Sequence, residues 1–236
     1  LMAKKYSGQV RVYYDGYDPG SHTTQVELGL EIEALDPTAF GEAGERAQGG
    51  LRRDTFTWAG LFDDAAIGLD AAQAAILGAG TGVLSLLLGS AVGDVTYCGT
   101  SFFLAAKPAA RIGELVRLEA TIKPDQNWER CYSYGEKASI SQSGSSGTID
   151  HGAGTSNTTW YLQVFQYTGT VSALVTLQDS PDGTAWTGRS NSASFTAGTA
   201  SQKLAYSGAL ARYTRLAANA FGAVGTLLYA GAIARG

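Results

Sequence analysis

The chain has 236 residues, of which 44% are hydrophobic, 16% are charged and 31 are glycine. This length and composition exclude disordered and fibrous proteins and suffice for one large core or two small ones. The charged fraction lies below the roughly 25% of ordinary soluble domains, which suggests that other molecules cover part of the surface.

The charge is divided unevenly along the chain, whose formal net charge is -4. Residues 1–135 carry 11 Lys and Arg against 17 Asp and Glu, whereas residues 136–236 carry 6 against 4. Proteins that bind nucleic acid by neutralising its phosphates carry clustered Lys and Arg. The acidic first half therefore argues against that function.

Metal and disulfide chemistry have few candidate residues. The chain contains two cysteines, Cys98 and Cys131, and two histidines, His22 and His151. They form neither a CxxC pair nor a set of soft metal ligands. We therefore expect reduced cysteines in a core, no metal and no cofactor.

Alternation with a period of two residues dominates the first half and predicts β-strands. Its clearest example is Val26–Glu33, where apolar residues alternate with Glu27, Gly29, Glu31 and Glu33. We expect this strand to have one wet, acidic face and one dry face. Further strands are predicted around Val10–Val12, Thr55–Leu61, Val83–Leu88, Thr100–Leu104 and Leu115–Ile122.

One short helix is predicted from Asp70 to Leu77, because alanines are frequent there, Asp70 can cap the start and Gly78 can end it. The surrounding stretch Leu69–Val92 is the most apolar of the chain, but polar residues and glycines interrupt it. Its uninterrupted apolar pieces are shorter than the roughly 18 to 20 residues that cross a bilayer. We expect no membrane insertion.

A long polar segment, Asp36–Gly50, lies between two predicted strands. It contains Pro37, four glycines and three charged residues after Asp36. Ordinary hairpin loops have two to five residues, and longer ones are usually functional or disordered. We interpret this segment as a loop that becomes ordered on a neighbouring molecule, and a mobile hairpin tip is the alternative.

The composition changes after Ser133, where serine and glycine become frequent. This change predicts a linker over residues 136–150 between a domain at 1–135 and another at 151–236. Short strands separated by turns follow and predict an Ig-like β-sandwich. They are Trp160–Tyr167, Val171–Gln178, Ala193–Thr196, Lys203–Tyr206, Tyr213–Ala217 and Leu227–Ile233.

Catalytic motifs are weak, and we expect no enzymatic activity. His22 lies in a Gly-Ser-His-Thr segment and His151 follows Asp150, without a nucleophile motif beside either one. The glutamates Glu27, Glu31 and Glu33 share a strand face, as glycosidase carboxylates could, but a solvated strand has the same pattern. Hydrolysis that depends on these residues stays open as a third hypothesis.

Aromatic residues in the second half provide candidates for a sugar-stacking surface. Tyr161, Tyr167 and Trp186 are the candidates for an exterior aromatic surface, beside Trp160 and Phe165. The alternative is that about half of these rings are buried in the sandwich core.

The order of these features resembles the major tail tube proteins of long-tailed, siphovirus-like bacteriophages. The segment 51–63, LRRDTFTWAGLFD, is similar to the strand that follows the long loop in that family, and Thr38-Ala39-Phe40-Gly41 resembles the core of the loop. In the second half, the segments 160–164, 175–186 and 212–215 resemble the β-sandwich that many tail proteins append. The resemblance covers nearly the whole chain.

This resemblance implies a mainly β fold, with an N-terminal tail-tube-type domain that contains one short helix and a C-terminal Ig-like sandwich. It implies rings, of six subunits in that family, whose sheets form a β-barrel and which stack into a tube for genome ejection. Glu27, Glu31 and Glu33 are then candidates for the channel lining, although they could instead face outward or toward the next subunit. The candidate ring-stacking residues are Thr38, Phe40, Glu42, Glu45 and Arg46.

The partners implied by the resemblance are further copies of the chain and other tail proteins, such as the tape measure and terminator proteins. Genomic DNA would pass through without specific binding, and host glycans are a candidate ligand of the exterior domain. The expected location is the virion tail, after synthesis in the host cytoplasm. A capsid decoration protein, another tail protein such as a terminator, and a carbohydrate-binding module for host adhesion remain the alternatives.

Overall fold

The structure is a computed structural model, which describes residues 10–19, 23–35, 48–61, 80–109, 115–140, 144–154, 157–169, 172–196, 198–219 and 225–234. The strands within this part of the chain are β1 Arg11–Tyr14, β2 Thr23–Leu35, β3 Gln48–Leu61, β4 Gly82–Leu87, β5 Val95–Ala109, β6 Arg117–Pro124, β7 Glu129–Ser133, β8 Ala138–Ile140, β9 Gly144–Ser145, β10 Ile149–Asp150, β11 Thr158–Tyr167, β12 Leu174–Ser180, β13 Thr187–Asn191, β14 Ala200–Tyr206, β15 Tyr213–Asn219 and β16 Leu227–Ala234.

The prediction of a mainly β fold is confirmed. The described residues contain no α-helix, and the helix predicted at 70–77 lies outside them. Within the same ranges, no helix has the length and apolar character that crossing a membrane requires.

Most predicted strands are present, but β5 extends well beyond the predicted Thr100–Leu104, the sequence did not predict β7 to β10, and two further strands differ as follows. The strand β3 begins at Gln48, so the predicted loop is shorter at its C-terminal end, and its residues 36–47 lie outside the described ranges. The strand predicted at Ala193–Thr196 is wrong, because Phe195 forms only an isolated bridge with Ala173. The nearest strand is β13, which ends at Asn191, before the predicted segment. Its residues are polar and mostly exposed, so no apolar alternation predicted it.

The strands form two antiparallel sheets. The larger sheet has eleven strands and follows the order β14-β11-β16-β7-β5-β6-β3-β2, with β4 and β1 added beside β5 and β8 beside β16. The smaller sheet has five strands in the order β10-β15-β12-β13, with β9 beside β15.

The two sheets enclose a core in the second half of the chain. Trp160 and Leu162 from β11 pack with Leu177 from β12, Leu216 from β15 and Ile233 from β16, and all five side chains have no exposed surface. Each such side chain stabilises the fold by about 1.5–3 kcal/mol relative to leaving it in water. The second half is therefore a filled β-sandwich.

A second core belongs to the first half. Here Tyr14 of β1 and Leu84 of β4 pack against Phe56 of β3 and Ile122 of β6, and Trp128 closes the cluster. The Trp128 ring meets Phe56 edge to face, and its indole N–H donates to Ser101 Oγ at 2.8 Å.

The two halves are joined by sheet pairing and by shared packing. Strand β7 pairs with β5 on one side and with β16 on the other. Behind this junction, Tyr161 of β11 packs with Val83 of β4 and with Cys98 and Cys131. The two cysteines are free and buried, as expected. Residues of both halves thus share one buried interface.

One buried polar side chain fixes this interface. Gln163 on β11 is 1% exposed, and its Oε1 accepts a hydrogen bond from Gly16 N at 2.8 Å. Its Nε2 donates to the Val83 carbonyl at 2.8 Å and to Ser85 Oγ at 3.2 Å. Gly16 has φ of +79°, and a Cβ there would lie 2.5 Å from the Val164 carbonyl oxygen. The turn after β1 therefore requires glycine where it meets the second half.

The serine- and glycine-rich segment differs from a free linker in its described parts. Strand β8 pairs with β16, while β9 and β10 both pair with β15. These backbone hydrogen bonds attach the segment to both sheets of the sandwich. The division into domains at 1–135 and 151–236 stays a prediction.

Candidate assembly surface

Strand β2 forms one edge of the larger sheet. It has 13 residues and, among the described residues, pairs only with β3. Strand β14 lies at the opposite end of the same sheet and pairs only with β11 in this part of the chain. A long edge strand presents a row of backbone donors and acceptors that can pair with another chain.

The three candidate channel-lining glutamates lie together on this edge. Glu27 is paired in register with Thr57 and Glu31 with Arg53, so both project from the same face. Glu33 reaches that face too, because its Oε2 accepts a hydrogen bond from Arg53 Nη2 at 2.9 Å. Glu27 and Glu31 are exposed. Their place in a channel stays a prediction.

This face carries both signs of charge. Arg53 lies opposite Glu31, and Lys107 of β5 lies opposite Glu119 of β6. Cross-strand pairs of opposite charge stabilise a sheet, whereas like charges placed opposite each other destabilise it. The alternation within β2 indicated the acidic side chains, but it gave no sign of the basic ones that the neighbouring strands supply.

The opposite face of β2 is dry over only part of its length. Val26 and Leu28 are partly covered, whereas Leu30 is 42% exposed and Ile32 is 66% exposed. The prediction of a dry face is therefore wrong for its second half. The reason is that β3 pairs with β6 only from Phe56 onward, so the preceding part of the β2–β3 hairpin extends beyond the other described strands and the core that they cover.

We call this part of the hairpin, residues 29–35 and 48–55, the hairpin extension. Leu51 in it is 77% exposed. An isolated two-stranded hairpin is at best marginally stable in water. Within the described part of the chain, the hairpin extension therefore combines a backbone edge that pairs with no further strand and exposed apolar side chains.

A buried carboxylate anchors the base of the hairpin extension. Asp54 Oδ1 accepts a hydrogen bond from Arg52 Nε at 2.7 Å, and Asp54 Oδ2 accepts one from Trp128 N at 3.3 Å. The Asp54 side chain has no exposed surface. Sequence reasoning missed this residue, because the neighbouring Arg52-Arg53-Asp54 charges resemble an ordinary solvated strand.

The candidate ring-stacking residues cannot be placed. Thr38, Phe40, Glu42, Glu45 and Arg46 all lie outside the described residues. The ends of the segment are fixed nonetheless, because Leu35 is paired with Gln48.

Two of the three predicted exterior aromatic residues are buried, which corrects that prediction. Tyr161 is 0% exposed in the interface between the halves, and Tyr167 is 3% exposed in the sandwich core, edge to face with Phe195. Strand β11 is covered on both faces, so its continuous aromatic and apolar run marks an interior strand. Only Trp186 is partly exposed, and the Arg215 guanidinium carbon lies 4.1 Å from the centroid of its ring.

Asp150 and His151, two of the residues considered for hydrolysis, form hydrogen bonds with neighbouring side chains and backbone. Asp150 receives two hydrogen bonds from Arg212 at 2.8 and 2.6 Å and one from Gly152 N at 2.8 Å, which lower the pKa of its carboxyl group to about 2. His151 Nε2 lies 2.7 Å from Thr214 Oγ1, which is buried and also accepts a hydrogen bond from the Tyr134 hydroxyl. His22 lies outside the described residues.

The cysteines and the acidic residues form no reactive or metal-binding cluster in the described ranges. Burial raises the pKa of the Cys131 thiol well above its ordinary value, which favours the protonated, unreactive form. In the same ranges, no group of three or more His, Cys, Asp or Glu side chains could hold a metal ion.

Comparison with known proteins gives matches in structure only. No protein-family model and no curated protein sequence matches the chain. A chain in the virion of a native gene transfer agent particle is 14% identical, with a TM-score of 0.46, over 54% of this chain and 98% of that one. A chain from the tail of an empty gene transfer agent particle, refined with helical and sixfold symmetry, is 12% identical, with a TM-score of 0.45, over 54% and 98%.

A third structure matches more of the chain. The Dit protein of phage SPP1, described as a paradigm of the hub adsorption apparatus in phages that infect Gram-positive bacteria, is 12% identical with a TM-score of 0.38. This match covers 94% of this chain and 98% of that one. At these values, the three similarities do not by themselves establish a fold family or a function.

Proposed function

We propose that the chain is a structural protein of a virion tail, which assembles with copies of itself into stacked rings that form the tail tube. The observation that carries this proposal is the long edge strand β2, which pairs with only one of the described strands and has a charged face and an exposed apolar end. The proposal agrees with the tail and hub descriptions of the three neighbours, although its support is the resemblance in sequence and this edge.

Assembly through β2 would remove the hazards of an open edge. A strand from a second copy would pair with the free backbone groups of β2 and cover part of the hairpin extension. Exposed Leu30, Ile32 and Leu51 would then be buried against that copy. Closing a sheet into a barrel satisfies the edges completely, whereas the described strands of one chain form a sheet that ends at β2 and β14.

The charged face would suit a channel through which DNA moves. DNA binds proteins largely by releasing counterions when Lys and Arg neutralise its phosphates. On this face, Glu33 is paired with Arg53, Lys107 lies opposite Glu119, and Glu27 has an uncharged neighbour opposite it. A wall of this kind would be hydrated and would offer few unpaired cations to hold a passing duplex.

The hairpin extension leads into residues 36–47 and would direct them toward an adjacent ring. In this arrangement Thr38, Phe40, Glu42, Glu45 and Arg46 supply ring-to-ring contacts. This part of the proposal rests on the resemblance and on the position of the hairpin extension at the end of the sheet.

The test is the assembly state of the purified full chain, measured by analytical ultracentrifugation and negative-stain electron microscopy. We expect rings or hollow tubes at high protein concentration. Ile32→Asp should reduce assembly at least tenfold, because a charge would be buried at the new contact, and it should leave the monomer folded since Ile32 is exposed. Val92→Asp is the matched control, because Val92 is 41% exposed in the turn between β4 and β5.

Two results would contradict the proposal. One is a wild-type chain that stays monomeric at every concentration and is absent from purified particles. The other is normal assembly of Ile32→Asp, which would show that β2 is not the contact.

A further inference from the structure

The outer face of the smaller sheet carries a row of aromatic rings and guanidinium groups. Tyr213 and Arg215 lie two residues apart on β15 and project from one face, while Thr214 and Leu216 between and beyond them are buried in the core. The Arg212 guanidinium carbon lies 4.9 Å from the centroid of the Tyr213 ring. The corresponding distance from Arg215 to the Trp186 ring is 4.1 Å.

Arg215 has no carboxylate partner among the residues that the structure describes. Among the described residues after Glu136, each of the other cations forms an ion pair: Lys137 with Asp18, Arg189 with Asp179, Lys203 with Glu129 and Arg212 with Asp150. Arg215 instead donates a hydrogen bond from Nε to the uncharged Gln178 Oε1 at 2.8 Å. The charge of Arg215 is therefore not neutralised within the described part of the chain.

The contacts of Arg215 hold its guanidinium in a defined plane. The Trp186 ring supports one side of the group, and Gln178 fixes the Nε edge. The two terminal nitrogens make none of these contacts. A planar guanidinium with two such nitrogens matches the two oxygens of a carboxylate or phosphate.

We propose that this face binds an acidic oligosaccharide, in which an anionic group pairs with Arg215 and a sugar ring lies against Tyr213 or the exposed part of Trp186. The assignment needs both the unneutralised charge of Arg215 and the aromatic rings beside it. An uncompensated, oriented cation selects an anion, and the partly exposed rings of Tyr213 and Trp186 beside it offer an apolar surface that a simple anion would not use. The site lies wholly within the second half and does not depend on tube formation.

The binding experiment uses the full chain and isothermal titration calorimetry with four probes. Tetragalacturonate carries carboxylates on sugar rings, and glucose 1-phosphate carries a phosphate on a sugar. Maltotetraose is the uncharged control, and inorganic phosphate is the control without a sugar. We expect saturable binding of at least one acidic sugar, with an affinity that decreases as salt is added.

Two arginine variants test the site itself. Arg215→Gln should weaken binding of the acidic sugar at least tenfold while the unfolding temperature falls only slightly, because the folded chain loses one hydrogen bond and one cation–π contact at a partly exposed position and no carboxylate loses its partner. Arg130→Gln should bind as the wild type does. It is a matched control, because Arg130 is exposed and its guanidinium carbon lies 5.2 Å from the centroid of the Tyr132 ring, away from this face.

The proposal is overturned if neither acidic sugar binds saturably, or if Arg215→Gln binds as well as the wild type. It is also overturned if maltotetraose binds as tightly as the acidic sugars, or if inorganic phosphate does so, which would indicate an adventitious ion only. In a separate titration with polyglutamate, binding that depends on Arg215 while no sugar binds would also overturn the proposal and assign the face to an acidic peptide. The result is independent of the assembly state and can be obtained with monomeric protein.

Discussion

Apolar residues alternate with polar ones in both the sandwich of the second half and the hairpin extension of the first half, but they are buried only in the sandwich. In the sandwich, a second sheet covers the apolar side chains, and Trp160, Leu177 and Leu216 have no exposed surface. In the hairpin extension, no described strand covers Leu30 or Ile32. The apolar side chains of the sandwich are covered within one chain, whereas those of the hairpin extension remain exposed.

The largest difference between these regions should appear in the free energy of unfolding. Trp160→Ala should destabilise the chain by about 3–5 kcal/mol, because it leaves a cavity in the filled core. Ile32→Ala should change it by less than about 0.5 kcal/mol in the monomer, because the side chain is exposed. Chemical denaturation of both variants measures these values. Similar losses for the two variants would contradict the comparison.

The next effect concerns the interface between the halves. Gln163→Ala should destabilise the chain by about 2–3 kcal/mol, because it leaves the Gly16 N–H buried without its acceptor and removes one of the two donors to the Val83 carbonyl, which keeps the hydrogen bond from Asp15 N. Gln166→Ala is the control, since Gln166 is exposed on the same strand, and it should have almost no effect on the free energy of unfolding.

Thermal unfolding of the wild type should show one transition, because the two halves share this buried interface. Two separate transitions would indicate that the halves unfold independently.

A smaller effect is expected at the base of the hairpin extension. Asp54→Ala should destabilise the chain by about 2 kcal/mol, because Trp128 N and Arg52 lose their acceptor. Asp125→Ala provides the control at an exposed turn. Hydrogen exchange should also become faster in β2 and β3 of the Asp54 variant. Unchanged exchange in these strands would show that Asp54 does not anchor the hairpin extension.

The smallest effect is a change in titration at the surface of the sandwich. Arg212→Gln should raise the pKa of Asp150 from about 2 toward its ordinary value of 3.8, since two hydrogen bonds are lost. The depressed pKa means that the pair stabilises the folded state above about pH 3.8 and that this contribution is lost as the pH falls toward 2. NMR of the carboxyl carbon measures the shift, and Arg130→Gln should leave it unchanged.

The sequence predicted the mainly β fold and the position of most strands, because alternation is a local property. It placed Glu27 and Glu31 on one face of β2 for the same reason. It did not predict that Leu30 and Ile32 are exposed, since their covering depends on where pairing between β3 and β6 begins. It also did not predict Arg53 opposite Glu31, because register between strands is set by the whole sheet.

The aromatic residues show a second limit. Tyr161, Tyr167 and Trp186 are similar in type, and only the tertiary environment separates the two buried rings on β11 from the partly exposed ring of Trp186, which lies just before β13. The sequence nevertheless contained one indication that the strand at 160–165 has buried polar contacts. Gln163 is the single polar side chain within the apolar run 160–165, and a polar residue in an interior strand needs buried partners.

The continuous sheet from β2 to β14 would affect the avidity with which several copies of the chain bind a sugar. Backbone pairing through β7 and β16, together with the Gln163 contacts, fixes the Arg215 face relative to the β2 edge. In a ring of identical chains, every copy would therefore present its sugar-binding face at the same angle and spacing. Simultaneous engagement of several such faces can exceed the affinity of one by about 10²–10⁴. Weak binding by a single copy would then be sufficient for firm attachment of the whole particle.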